Sequence, residues 1–260
     1  MTRKSLMDRL ILPPDLPARK VEFEWRGMDA HLAPDTGTPL HKALLKKTNS
    51  ALCTLGAGCL LWSASRLERL TNVGPLVAMA EVLLLWEDDP RYYHHPGESP
   101  RPATVTAAYE AMVALFYQAS TILEEFPDEH DSDPPTRAIL NLFALSRHVL
   151  GEDWIDTYRT WTKQALKTMD RIAPNPFQTF EGRFDFDSDA DYEAFIVQNM
   201  GPPVAIEACN QGADLTPEQS SALYREFMLG VVPGANRYLA SPELLKAKGF
   251  PGTPYVPRAR

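Results

Sequence analysis

The sequence predicts a mainly α, all-α fold: an antiparallel helical bundle or stacked helical hairpins of about eight helices, with room for a small two-stranded ribbon. Three observations lead there. Long stretches carry apolar residues at helical spacing. Helix starts are marked by a hydroxyl residue followed by proline, at Thr38-Pro39, Thr216-Pro217 and Ser241-Pro242. The connections between periodic stretches are short and rich in proline, glycine or charge, which favours neighbouring helices that run antiparallel.

Residues 1–37 read as irregular, apart from one half-buried strand in which Val21, Phe23 and Trp25 alternate with Glu22, Glu24 and Arg26. The first helix is expected from Thr38 to about Leu70. Its middle is full of small residues, including Gly56, Ala57 and Gly58, so either a close packing partner or a break near Gly56 is required. Pro75 to Trp86 is apolar nearly all round and is expected to be central. A third helix follows in 103–126, then two more divided by Gly151, with Asp153 as the expected cap. Phe180, Phe184 and Phe186 share one parity and offer a second short strand to pair with the one around Phe23. Further helices are expected at 189–198, across 204–212, at 216–229 with a capping box from Thr216 and Gln219, and after Ser241. No linker or fixed-period repeat divides the chain, which predicts a single domain over residues 1–260, with 246–260 laid over the surface as a tail.

The formal charge of −8, without a basic stripe, excludes nucleic acid as the natural partner. No uncharged apolar run is long enough to cross a membrane, and Asp8, Arg9 and Pro13-Pro14 interrupt what a signal peptide would need. An odd cysteine count, Cys53, Cys59 and Cys209, suggests reduced thiols and a cytoplasmic setting.

No catalytic signature stands out, and the sequence predicts no cofactor. Asp185, Asp187 and Asp189 have the one-three-five spacing of a calcium loop, but Ala190 replaces its glycine and Ile196 its bidentate glutamate; a loop begun at Asp187 meets Tyr192 and Gln198 instead. The simpler reading is a helix start, capped by Asp187, Ser188 or Asp189, with acidic residues complementing the helix dipole. His130-Asp131 resembles the metal-binding pair of the HD phosphohydrolases, and His94 or His95 offers a further ligand. The pair lies, however, between Pro127 and Pro134 in a stretch with few apolar residues to hold a metal's geometry. Glu87, Asp88 and Asp89 resemble the aspartate-rich motif of helical terpene synthases, yet no second metal motif follows. Tyr92 and Tyr93 fit a contact loop, since tyrosine offers large area with a polar tip. Ser63 and Ser65 lie on a helix rather than a nucleophile elbow, and His41 and His148 read as packing histidines.

Negative charge is concentrated at −3 over residues 87–89, −4 over 126–134 and −5 over 181–193, leaving the remainder net positive. The carboxylates Asp88, Asp89, Asp128, Glu129, Asp131, Asp133, Asp185, Asp187, Asp189 and Asp191, with Tyr92, Tyr93 and Tyr192 beside them, form the candidate partner-binding set for a basic protein. In general profile, an acidic helical protein without a catalytic motif, the chain resembles cytoplasmic immunity proteins that neutralise bacterial toxins or secreted effectors. That resemblance implies an immunity or antitoxin-like binder that occludes a basic toxin's active site. Two alternatives are a helical metal-dependent hydrolase using His94, His95, His130 and Asp131, and a helical adaptor that binds peptide through its proline-rich, basic tail.

Overall fold

The computed structural model describes residues 5–17, 21, 23–33, 37–96, 104–125, 134–175 and 200–257. Nine α-helices lie among them: α1 (Leu6–Arg9), α2 (Pro39–Leu44), α3 (Asn49–Leu67), α4 (Gly74–Trp86), α5 (Ala107–Glu125), α6 (Pro134–Leu150), α7 (Ile155–Ile172), α8 (Pro217–Leu229) and α9 (Pro242–Ala247). They pack as an all-α bundle with α3 at its centre, against α4, α5, α6 and α7.

The long first helix expected from Thr38 is two helices. Thr38 caps α2 through the His41 amide, as the Thr-Pro signal predicts, but α2 ends at Leu44. Lys46 and Lys47 then donate backbone hydrogen bonds three residues back, to Ala43 and Leu44, and Thr48 caps a new helix through the Ala51 amide. The apolar period runs on through Leu44 and Leu45, so periodicity alone hides the break.

All nineteen residues of α3 are buried. Its glycines have a packing reason rather than a break: a Cβ on Gly56 would stand 2.7 Å from Ile139 Cδ1 of α6, and one on Gly58 2.7 Å from Trp161 Cζ2 of α7. Each glycine is a notch for one large side chain of a neighbouring helix. Polar residues on a helix without a solvent face need protein partners. Ser63 donates to Ser146 Oγ (2.9 Å), and Ser146 donates to the Cys59 carbonyl (3.2 Å), tying α3 to α6. Arg66 donates to the Leu16 carbonyl (3.0 Å), drawing the N-terminal segment across α3.

Among the described residues there is no strand; residues 23–27 are irregular, and pairing is limited to isolated bridges, Lys47 with Pro174 and Tyr93 with Leu239. The ribbon partner expected at 180–186, like the helix expected at 189–198, lies outside the described residues. Asp153 does not cap α7: residues Glu152–Trp154 form a 3-10 turn after Gly151 (φ 73°), and the residue preceding α7 is Trp154. The expected helix across 204–212 shrinks to a 3-10 turn, Ile206–Cys209. The capping box at Thr216 and Gln219 and the Ser241 cap are present as read. No helix among the described residues is long and apolar enough to cross a membrane.

On an exposed helix, Gly→Ala stabilises by up to about 1 kcal/mol. In the α3 notch the sign reverses: Gly58→Ala is expected to cost about 1–3 kcal/mol by overpacking against the Trp161 ring. Urea unfolding measures it, and a raised midpoint would contradict the notch.

Candidate functional site

The acidic loop after α4 is the part of the candidate partner-binding set that the structure describes in detail. Glu87 is fully buried at the end of α4. The Thr54 hydroxyl of α3 donates to its Oε1 (2.6 Å) and the Val204 backbone N–H to its Oε2 (2.9 Å). One carboxylate therefore joins α3, α4 and a segment more than a hundred residues downstream.

Asp88 and Asp89 are also buried, Asp89 at 3% exposure. Asp89 accepts from the Arg91 amide (2.9 Å) at the start of the 3-10 turn Pro90–Tyr92. Its two oxygens take the Arg91 Nε and Nη2 at 2.8 Å each, a bidentate pair. Arg91 Nη1 continues to the Gly249 carbonyl (2.9 Å), with the guanidinium over the Phe250 ring. Tyr92 is fully buried between Phe250 and Tyr255, and its hydroxyl oxygen accepts from the Tyr255 amide (3.0 Å). Tyr93 is half-buried and bridges Leu239, while the His94 amide donates to the Tyr238 carbonyl (2.9 Å).

The loop is thus a clasp for the C-terminal segment rather than a free contact surface. Phe250 and Tyr255 are buried, so the expected surface tail is anchored here by aromatic residues. Tyr255 is held at φ 61°, a conformation uncommon for a residue with a Cβ, while its own hydroxyl donates to the Ala240 carbonyl (2.6 Å).

The thiols offer no nucleophile. Cys53, Cys59 and Cys209 are free and buried. Burial drives the Cys59 thiol up to about 12 and raises Cys53 and Cys209 well above the ordinary thiol range, aided by the Glu87 carboxylate near both of the latter. Tyr158 donates to Cys59 Sγ (3.2 Å) and Trp161 to the Cys209 carbonyl (2.8 Å), so the aromatic pair on α7 packs in the core. Ser63 is used within the core as described above. Among the described residues, no group of three or more His, Cys, Asp or Glu is placed to hold a metal ion.

His94 and His95 follow the clasp directly, and the His95 ring meets Tyr93 edge-on. Asp128, Glu129, His130, Asp131, Asp133, Asp185, Asp187, Asp189, Asp191 and Tyr192 lie outside the described residues.

Two charged arrangements went unread in the sequence. Arg9 is buried and donates to Glu207 (2.7 Å) and Glu226 (3.2 Å), with its guanidinium over Phe227. Lys47 is buried and pairs with Asp170. No local pattern marks either, because each partner is distant in sequence. The chain matches no protein-family model, curated protein or solved structure.

Tyr92→Phe leaves the buried Tyr255 amide without its acceptor, which is expected to cost about 1–3 kcal/mol and to speed proteolysis within 250–257. Native protein at pH 8 is expected to react with a thiol reagent only through unfolding, so labelling should follow denaturant rather than reagent concentration; fast labelling of any cysteine in the folded protein would contradict the burial of all three.

Proposed function

We propose that the protein binds and neutralises a basic bacterial toxin or secreted effector, covering its active site in the manner of an immunity protein. The observation that carries this reading is the distribution of charge. Of the three acidic stretches, residues 87–89 turn inward, with Asp89 matched by Arg91. The remaining negative charge is concentrated at −4 in 126–134 and −5 in 181–193, on a chain of net −8. Phe184, Phe186 and Tyr192 accompany the second stretch, the aromatic type that anchors protein interfaces. Dense like charge beside aromatic anchors steers a basic partner to its site and then holds it. The buried thiols and the serine and carboxylate bonds of the core support a binding role, since those groups are occupied in holding helices together.

The test is capture of partners from the native cell lysate at low and high salt, followed by association kinetics with the captured protein. A basic partner released by salt is expected. Replacing Asp185, Asp187, Asp189 and Asp191 together by lysine should slow its association roughly tenfold or more at low salt. An association rate that ignores the four substitutions would remove the 181–193 stretch from the interface.

A further inference from the structure

A pair of stacked imidazoles joins the N-terminal segment to the end of α6. The His31 and His148 ring centroids are 3.6 Å apart at an interplanar angle of 22°. Trp25 packs 4.9 Å from the His31 ring, and Phe23 meets His148 edge-on at 5.5 Å. The hydrogen bonds define the protonation that fits. His31 Nε2 lies 3.2 Å from the Arg26 N–H and must accept, so it carries no proton. His148 Nε2 lies 2.9 Å from the Glu24 carbonyl and must donate, so that nitrogen carries a proton. The His31 ring is therefore neutral in this arrangement, and the His148 ring makes its bond with a proton on Nε2 alone.

From this geometry we infer that the His31–His148 stack is an acid-released latch: a proton on each ring parts residues 23–31 from α6, while the chain stays anchored at Ala33. The charged and titratable groups around the pair set how it responds. On the segment they are Glu24 and Arg26, which pair with each other (2.6 Å), and Asp29 in the turn that carries His31. On α6 they are Arg147, beside His148, and Arg137, which donates to the Ala33 carbonyl (3.1 Å).

A first proton on His148 keeps the Glu24 bond, because it enters at Nδ1. A second, on His31 Nε2, faces the Arg26 N–H donor and sets two cations in stacking contact. Burial lowers the pKa of His31, and Arg26 lowers it further; burial lowers that of His148, and His31 adds to it. The sign follows from linkage. Groups depressed below 6.5 when latched leave the latch fully stable above that value, and it weakens as pH falls through and below it, because the released segment takes up protons that the stack refuses. The anchor at Ala33 has no such dependence: its amide donates to Asn141 Oδ1 (3.2 Å), a side chain that does not titrate.

The experiment is amide hydrogen exchange on the full chain at pH 7.5 and 5.5, corrected for the intrinsic pH dependence of exchange, with His31→Gln and His148→Gln beside the parent. Protection within 23–31 is expected to fall about tenfold at pH 5.5 while that of Ala33 and α3 holds, and either glutamine variant should remove the pH dependence. Protection of 23–31 that is equal at the two pH values, or a loss that persists in both variants, overturns the latch. A histidine NMR titration of the parent keeps the inference testable if a variant misfolds: a depressed apparent pKa for the pair is required, and both rings titrating at 6.5 or above overturns it.

Discussion

The constraint on which the rest of the structure depends is a helix with no face to water. Every residue of α3 is buried, and an α-helix in that position demands two things of its surroundings. Apolar neighbours must cover it on all sides, and the polar side chains it carries, cut off from water, turn to partners in the protein. The surrounding helices meet the first demand, with the Gly56 and Gly58 notches admitting Ile139 and Trp161. The second turns polar residues into positioning devices: Thr54 fixes Glu87 and so the end of α4, Ser63 fixes α6, and Arg66 holds the N-terminal segment at Leu16. Hydrogen bonds of this kind contribute modestly when made, but leaving the buried group unmade is costly, which is why they specify register.

The periphery is closed by charge and aromatic contact in the same spirit. Arg9 joins α1 to Glu207 and to Glu226 on α8, and the clasp of Asp89, Arg91 and Tyr92 seizes the C-terminal segment at Gly249, Phe250 and Tyr255. Both ties bury an arginine stem or an aromatic ring along with the polar contact, so burial and hydrogen bonding reinforce one another. An acidic loop that looks solvated in the sequence thereby becomes structural.

Local signals were legible in the sequence wherever one residue and its near neighbours decide the outcome. Thr38, Thr216 and Ser241 cap helices because the hydroxyl reaches an amide three residues on, and Gly151 divides α6 from α7 through its positive φ. The Thr48 cap was equally local but lacked the following proline and sat within an unbroken apolar period, so the end of α2 was overrun. Glu87 was illegible for a different reason. Three consecutive acidic residues resemble a solvated turn, and burial of the first depends on Thr54 and Val204, far away in sequence. The same holds for His31 and His148, which share no local pattern and meet through the path of the chain before α2. Of the candidate partner-binding residues, the composition of 181–193 was plain from the start, whereas the inward turn of Asp89 and Tyr92 required the tail that covers them.

Native-state hydrogen exchange of α3 tests the central role of that helix most directly. If the surrounding helices depend on α3 and close on it from all sides, its amides from Thr54 to Ala64 exchange only when the whole molecule unfolds. The free energy from their exchange then equals that from denaturant unfolding monitored by the tryptophans. Exchange of α3 through a smaller opening, with α6 and α7 still protected, would contradict the account, because the bundle would then stand without the helix on which it is built.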